Sequence, residues 1–307
     1  MQYRQLGCSG IEVPVLGLGG WTLGGSAYGA VDRDTAVTAM RTAFDLGITL
    51  IDGAPYYGET ETWFGEEFRT GRHEVFLITK SQRRPYTRAN LFANIEGSLR
   101  NLRTDYADLY VIFPDANTPV DEILDGLIQV KESGKACAVG VTNWDSAMMQ
   151  ASVGKVELAT NQLGYSLFDR YWQKTVFPTC AELGIGVMAY SPLAQGLLSG
   201  AITADTSLPP DDVRTHNNLY APENLPTNLT VVENLKEFSS ERGLTLSQLA
   251  LAWTLSNPLV SVAIIGTRRP SRLVEDVGAL EAELTPVELA WLDTIVSNIA
   301  GAAPRFG

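Results

Sequence analysis

The sequence contains few of the residues from which metal sites and disulfide frameworks are built. Among its 307 residues there are three cysteines and two histidines. Cys8, Cys137 and Cys180 are odd in number and far apart, so we expect three free thiols and neither a disulfide framework nor a zinc site. Because His73 and His216 supply the only imidazoles, a histidine-rich metal centre is excluded too. We therefore expect no metal, and chemistry that depends on carboxylates or an organic cofactor.

Long hydrophobic runs and clusters of basic residues are also missing. No apolar run reaches the ~20 residues that a membrane helix needs, and the first residues, MQYRQLGCSG, lack the basic-then-apolar pattern of an export signal. We therefore expect a cytoplasmic protein without a membrane partner. The net charge of −12 repels phosphate backbones, and no Lys/Arg cluster offsets it, so no nucleic-acid partner is expected.

Apolar residues are plentiful and recur in short runs. They make up 45% of the chain, as in an ordinary globular interior. Two short extended runs within residues 3–18 flank the turn signal at residues 8–10 and predict an N-terminal β-hairpin. Strand-like runs then alternate with helical stretches, at residues 13–19, 48–52, 75–80, 108–113, 136–141, 157–162, 184–191 and 260–266.

The helical stretch from Thr118 to Lys135 has the clearest boundaries. We predict Thr118 as its cap, Pro119 at its first position and Gly134 as its C-terminal stop. Its apolar residues fall on one face: Val120, Ile123, Leu124, Leu127 and Ile128. The helix is therefore amphipathic and covers another element.

The alternation of strands and helices predicts the fold class. Eight apolar strands with covering helices match a closed barrel or an open doubly wound sheet, and eight regular units favour a (β/α)₈ TIM barrel. Further helices are predicted at 231–241, 246–255 and 286–296. They include extra C-terminal helices beyond the barrel repeat. Residues 200–230 are aperiodic and predict a long functional loop. We expect one domain over residues 1–307.

Two charged residues end strands whose other inward residues are apolar. Asp52 ends the second run and Lys80 the third, and a charge at an apolar rim is costly unless paired, so we expect these two to pair. Tyr57 lies five residues after Asp52. A lysine beside a tyrosine lowers the phenol pKa and makes a workable general acid. The pattern alone is equally consistent with a structural ion pair and an ordinary loop tyrosine.

Six motifs in order resemble those of the aldo-keto reductase family. LIDGAPYYGETE (50–61) resembles the family signature in which an Asp precedes a Tyr-Gly pair. The others are VFLITK (75–80), VGVTNWD (139–145), NQLGYSLFDR (161–170), AYSPLAQGLLSG (189–200) and IIGTRRPSRLVED (264–276). The chain thus resembles a bacterial-type member of this family over almost its whole length.

The resemblance implies a catalytic tetrad with one member replaced. Asp52, Tyr57 and Lys80 match three of its members, with Tyr57 as the proton donor. The family's fourth strand ordinarily ends in a histidine that polarises the substrate carbonyl, whereas DLYVIFPD (108–115) has Phe113 there. Because phenylalanine neither donates a hydrogen bond nor carries charge, this polarisation must come from elsewhere or be absent.

The resemblance also implies a nicotinamide cofactor. Thr142, Asn143 and Gln162 would hold the carboxamide, with Tyr190 stacked on the ring and Asp52 nearby. Arginines in the adenosine segment suit the 2′-phosphate of NADP(H). The other implied residues are Gly20, Trp21 and Thr22 at the ribose and substrate pocket, Ser191 and Leu193 at the pyrophosphate, and Gly266, Thr267, Arg268, Arg272, Glu275 and Asp276 around the adenosine.

Three functions follow from these residues. The first is an NADP(H)-dependent oxidoreductase that exchanges hydride between the nicotinamide and a small carbonyl or alcohol substrate. The second is an atypical enzyme that favours alcohol oxidation or C=C reduction, since Phe113 makes the pocket less polar. The third is a low-turnover nicotinamide-binding regulatory or sensor protein. A proton donor retained with its two partners argues against the third.

Overall fold

The computed structural model describes residues 1–302 as a closed barrel of eight parallel strands with helices around it. The strands are β3 (Leu16–Gly19), β4 (Leu50–Asp52), β5 (Phe76–Lys80), β6 (Ala107–Ile112), β7 (Ala136–Thr142), β8 (Leu158–Gly164), β9 (Gly186–Tyr190) and β10 (Val260–Ile265). They pair in chain order, and β10 closes the barrel against β3. The predicted (β/α)₈ barrel is confirmed.

The predicted N-terminal hairpin is confirmed and accounts for one shifted boundary. Strands β1 (Tyr3–Gln5) and β2 (Glu12–Pro14) pair antiparallel. The first predicted run, 13–19, therefore divides between β2 and β3. Leu6 and Val13 of the hairpin segment are fully buried with the inward residues of the barrel strands. A Cβ on Gly7 would lie 2.2 Å from the carbonyl oxygen of Gly184, so the hairpin packs backbone to backbone against the strand that begins at Gly186.

Eleven α-helices are found among residues 1–302, besides short 3₁₀ turns, and no helix there is long and apolar enough to cross a membrane. They are α1 (Arg33–Asp45), α2 (Thr60–Glu67), α3 (Arg88–Leu102), α4 (Val120–Glu132), α5 (Ser146–Gln150), α6 (Tyr171–Thr175), α7 (Phe177–Leu183), α8 (Leu225–Glu241), α9 (Leu246–Ser256), α10 (Pro270–Val277) and α11 (Pro286–Ile295). The predicted domain of 1–307 extends into residues 303–307, which lie outside the described residues.

Helix α4 begins later than predicted, and Thr118 does not cap it. Its N-cap is Pro119, which makes no side-chain cap. The Thr118 hydroxyl instead donates to Asp115 Oδ2 at 2.7 Å and accepts from the Tyr86 amide at 3.0 Å. The predicted stop is confirmed, because Gly134 follows the helix with φ of +73°.

The long loop after β9 is shorter than predicted. Helix α8 begins at Leu225, so it takes over the last six residues of the aperiodic stretch 200–230. The loop returns to the segment after β3, where the Val213 amide donates to the Ala27 carbonyl at 2.9 Å. Both segments follow the carboxyl ends of strands, so the loop covers that end of the barrel, away from the hairpin.

Candidate active site

Asp52 and Lys80 form a buried ion pair at the carboxyl ends of adjacent strands. Lys80 Nζ lies 2.5 Å from Asp52 Oδ1 and also donates to the Gly53 carbonyl at 3.2 Å. The side chains are 1% and 5% exposed, so water does not screen the pair. The pairing expected from the strand ends is present. Gln162 Nε2 donates to the same Asp52 oxygen at 2.9 Å, which holds the carboxylate from β8 as well.

Tyr57 stands beside this pair in the segment between β4 and α2. Its ring is 4.9 Å from Lys80 Nζ, measured to the ring centroid, and stacks on Trp21 with centroids 6.1 Å apart. The residue is 8% exposed. Thus Asp52, Tyr57 and Lys80 come together from two strands and one loop.

The pKa of Tyr57 differs in direction from the sequence-based expectation. Burial raises it well above the ordinary phenol value, and the neighbouring Tyr56 and Asp52 raise it further. Burial also lowers the pKa of Lys80, although Asp52 opposes that effect. Because burial, Tyr56 and Asp52 all raise the pKa of Tyr57, its hydroxyl keeps its proton at neutral pH.

Phe113 directly follows β6 and lines the same cavity as Tyr57. Its ring packs against Tyr56, with centroids 6.0 Å apart and an angle of 57° between the planes. Tyr56 in turn meets Tyr57 edge to face at 4.9 Å. Three aromatic rings therefore adjoin in series on the cavity wall, with Tyr56 in contact with both Tyr57 and Phe113.

Polar groups at the ends of β7, β8 and β9 bond to one another. Asn143 has a left-handed backbone with φ of +56°, and its amide donates to the Gln162 carbonyl at 3.1 Å. The Thr142 hydroxyl donates to the same carbonyl at 2.8 Å. The Tyr190 hydroxyl donates to Asn143 Oδ1 at 3.1 Å, which fixes the tyrosine ring against the cavity.

The turn after β9 has an unusual backbone. Ser191, Ala194 and Gln195 all have positive φ, at 53°, 48° and 54°. Successive left-handed residues turn backbone amides toward one side and make concavities that suit anions. The Gln195 side chain and carbonyl are held by Asn217 at 2.7 Å and Tyr220 at 2.8 Å, so the long loop supports this turn.

Four arginines line the end of the cavity near β10, although the chain as a whole is acidic. Arg268, Arg269 and Arg272 lie at the start of α10, and Arg214 comes from the long loop. The Arg268 guanidinium donates to the backbone carbonyl of Ala30 at 3.1 Å. A concentration of positive charge at a helix N-terminus favours phosphate groups.

Asp276 is the acidic residue of this end of the cavity. It is 2% exposed, and its Oδ1 has no hydrogen-bond partner within residues 1–302. Arg272 does not neutralise it, because its Nη1 is held by both oxygens of Glu275 at 3.0 and 2.9 Å. Burial, assisted by the Glu275 carboxylate and opposed by the Arg272 charge, raises the pKa of Asp276 to about 7.

These groups line one cavity of about 570 Å³, within the size range of ligand and cofactor sites. Three residues predicted for the site do not line it. Lys80 lies behind Asp52 and Tyr57, Glu275 pairs with Arg272, and Gly20 packs against the β4 backbone and Phe64. The predicted residues on its wall are Trp21, Thr22, Asp52, Tyr57, Phe113, Thr142, Asn143, Gln162, Tyr190, Ser191, Leu193, Gly266, Thr267, Arg268, Arg272 and Asp276.

Sequence reasoning missed several lining residues. Tyr56 adjoins Tyr57 in the same motif, and Arg214 is the one arginine or lysine between residues 201 and 224, so both carried a signal. Arg214 is held by Asp212 through two bonds of 2.8 and 2.7 Å. Gln195 and Ser199 lie within the motif at residues 189–200, whereas Tyr28 and Ser247 carried no signal. All three cysteines are free, and no cluster suited to a metal ion occurs in the described part of the chain.

Known proteins resemble the chain over nearly its whole length. The model of the aldo/keto reductase family matches residues 15–297. L-glyceraldehyde 3-phosphate reductase of Escherichia coli (strain K12) is 33% identical, over 97% of this chain and 93% of that protein. A probable voltage-gated potassium channel subunit beta of Arabidopsis thaliana is 30% identical, over 97% of each. The structure of a glycerol dehydrogenase from Gluconobacter oxydans gives a TM-score of 0.88 at 29% identity, covering 96% of this chain and 94% of that one.

Proposed function

Because the chain belongs to the aldo/keto reductase family, we propose that this oxidoreductase is NADP(H)-dependent and reduces a small carbonyl substrate, with Tyr57 as the proton donor. One observation carries the proposal. The buried Asp52–Lys80 pair and Tyr57 meet at the barrel mouth, in a cavity that continues to an end lined by four arginines. The first part suits proton transfer, and the second suits an anionic cofactor.

The cavity fits a nicotinamide cofactor. When bound, such a cofactor supplies the hydride for the reduction. Tyr190, Asn143 and Gln162 would orient the nicotinamide end, and the left-handed turn after β9 would receive phosphate oxygens. Arg272 would favour NADP(H) over NAD(H) by pairing with a 2′-phosphate. The buried, unpaired Asp276 Oδ1 offers an acceptor or, when protonated, a donor to a base.

The protonation state of Tyr57 favours reduction near neutral pH. Since burial, Tyr56 and Asp52 raise its pKa, the hydroxyl carries the proton that a reduced carbonyl oxygen needs. Alcohol oxidation requires the opposite form, a phenolate that accepts a proton. The oxidation rate should therefore rise as the pH increases through the alkaline range, whereas the reduction rate should fall.

The proposal is tested by following nicotinamide absorbance with aldehydes, ketones, sugars and enones, in both directions and with both cofactors. We expect NADPH-dependent reduction of one or more carbonyl compounds. A preference for glycerol-like alcohols would fit the similar structure described as a glycerol dehydrogenase. Turnover confined to enones would establish C=C reduction instead.

Tyr57→Phe tests the proton donor. Removal of a positioned acid should lower turnover by about 10²–10⁴-fold while cofactor binding survives. Tyr110→Phe is a matched control, because this hydroxyl is also buried but bonds to the Leu91 carbonyl at 3.3 Å, outside the cavity. If Tyr57→Phe keeps most of its turnover, the proton comes from another group.

A regulatory role is the second candidate, because the channel-subunit relative is 30% identical over 97% of each chain. In that case, the protein would bind NADPH tightly and turn over slowly with every substrate. Fluorescence titration combined with the steady-state assay separates the two. Tight binding without turnover in the unmodified protein would favour the regulatory role.

A further inference from the structure

Tyr56 occupies a position for which the proposed mechanism has no role so far. It lies on the cavity wall between Tyr57 and Phe113, edge to face with the first at 4.9 Å and tilted against the second at 6.0 Å. Its ring therefore separates the proposed proton donor from the phenylalanine that replaces the expected histidine.

The Tyr56 hydroxyl is buried and makes no well-formed hydrogen bond within residues 1–302, although the Tyr57 hydroxyl is near enough to interact with it as a hydrogen-bond partner. Each of the two phenols therefore influences the pKa of the other. A buried polar group without a partner destabilises a fold, and such groups concentrate where a ligand completes the bonding. Because Tyr56 lies beside Tyr57, we expect this ligand atom to be the substrate oxygen that Tyr57 protonates.

The hydroxyl is also in the correct form to donate. Burial raises the pKa of Tyr56 well above its ordinary value, and the Asp52 carboxylate raises it further. The phenol therefore keeps its proton throughout the neutral range. The adjacent Phe113 side chain offers no polar group that competes for it.

We propose that the Tyr56 hydroxyl is a second hydrogen-bond donor to the substrate oxygen and supplies the carbonyl polarisation that Phe113 cannot. The inference rests on the proposed carbonyl reduction. The substrate carbonyl carbon forms its new C–H bond with the hydride that a bound dihydronicotinamide gives up, being oxidised as its own C–H bond breaks. The C=O π electrons move to the substrate oxygen, and the Tyr57 hydroxyl gives that oxygen its proton. Tyr56 keeps its own proton and stabilises the developing charge, and solvent returns a proton to Tyr57.

Tyr56→Phe, with Tyr110→Phe as the matched control, tests the proposal on a carbonyl substrate from the panel. Loss of one donor to a developing oxyanion lowers turnover by about 10²–10³-fold. We expect a fall of this order in kcat for Tyr56→Phe, unchanged NADPH affinity, and near-normal turnover for Tyr110→Phe. Turnover of Tyr56→Phe close to that of the control would overturn the inference.

A graded substrate series separates polarisation from a structural role. With one donor missing, the reaction relies more on the substrate's own electrophilicity, so the rates of para-substituted benzaldehydes should depend more steeply on the substituent. A structural defect would instead lower all rates by the same factor and weaken NADPH binding. That result would also overturn the inference.

The double variant Tyr56→Phe with Phe113→His tests whether one donor replaces the other. The histidine should recover at least tenfold in the Tyr56→Phe background and gain less in the unmodified protein. Equal gains in both backgrounds would overturn a shared role. An unmodified protein that is inactive on the whole panel would contradict the proposed function itself, whereas an active one with an unaffected Tyr56→Phe would contradict only this inference.

Discussion

Asp276→Asn should stabilise the cofactor-free protein, and by about 2.5 kcal/mol more at pH 8 than at pH 5. An aspartate in the unfolded chain ionises near ~3.9, whereas burial raises the pKa of Asp276 to about 7 in the folded state. Between these values the folded protein holds a proton that the unfolded chain has lost. The free energy of unfolding therefore decreases as the pH rises through this window.

The size of the effect follows from the shift. About three pKa units at ~1.4 kcal/mol each give a penalty of at most about 4 kcal/mol once the pH exceeds 7. Asparagine has the same shape and no charge, so it removes this penalty. Urea unfolding at pH 5, 6, 7 and 8 should show a stability gain that grows with pH. A difference between variant and unmodified protein that is constant over this range would refute the reasoning.

Asp115→Asn is the matched control, because Asp115 is also a buried aspartate, 4% exposed. Burial alone would raise its pKa, but hydrogen bonds from Thr118, Tyr86 and Asn117 outweigh burial and lower it. The stabilisation by this carboxylate is present above the unfolded pKa and is lost only as the pH falls through the folded value. The variant should therefore lose about 1–3 kcal/mol equally at pH 5 and pH 8. A parallel pH profile for both variants would show that the effect is not specific to Asp276.

Three further substitutions test other parts of the cavity. Arg272→Ala should weaken NADPH binding by about 1.5–3 kcal/mol and leave NADH binding nearly unchanged in tryptophan-quenching titrations. An equal loss of affinity for both cofactors would show that Arg272 does not contact the 2′-phosphate. Phe113→His should speed the reduction of simple aldehydes and slow the best native substrate; an unchanged profile would place Phe113 away from the reacting centre. Lys80→Met leaves Asp52 buried without its ion partner, so urea unfolding should show a loss of about 3–5 kcal/mol; a smaller loss would mean that Gln162 suffices.

The barrel could be predicted because its signals are local. Each buried parallel strand is a short apolar run, and the hairpin turn is marked by Ser9 and Gly10. The errors occur where distant residues compete for a local group. Thr118 is a good cap by composition, yet it bonds to Asp115 and the Tyr86 amide, which come from the segments after β6 and β5. No pattern within the helix contains that information.

The candidate site divides in the same way. Asp52 and Lys80 were predicted because each ends a strand, and barrel topology brings the carboxyl ends of all strands to one face. The other predicted cavity residues came from the family resemblance.

Tyr28 and Arg214, which lie in loops outside the family motifs, were not predicted, because their positions depend on where each loop returns. Arg214 reaches the cavity because Val213 bonds to the backbone of Ala27, and because Asp212 holds the guanidinium. Neither of these two contacts could be predicted from the loop sequence alone.

The protonation of Tyr57 shows how a correct list of neighbours can give a wrong electrostatic result. The sequence places a lysine beside the tyrosine, and an isolated ammonium would lower the phenol pKa. In the structure the same lysine is within hydrogen-bond distance of Asp52, so the pair presents little net charge, while burial penalises the phenolate. Lys80 therefore influences Tyr57 by holding the Asp52 carboxylate in position as much as by its own charge. Removal of Asp52 should lower the Tyr57 pKa, since its carboxylate is one of the groups that raise it.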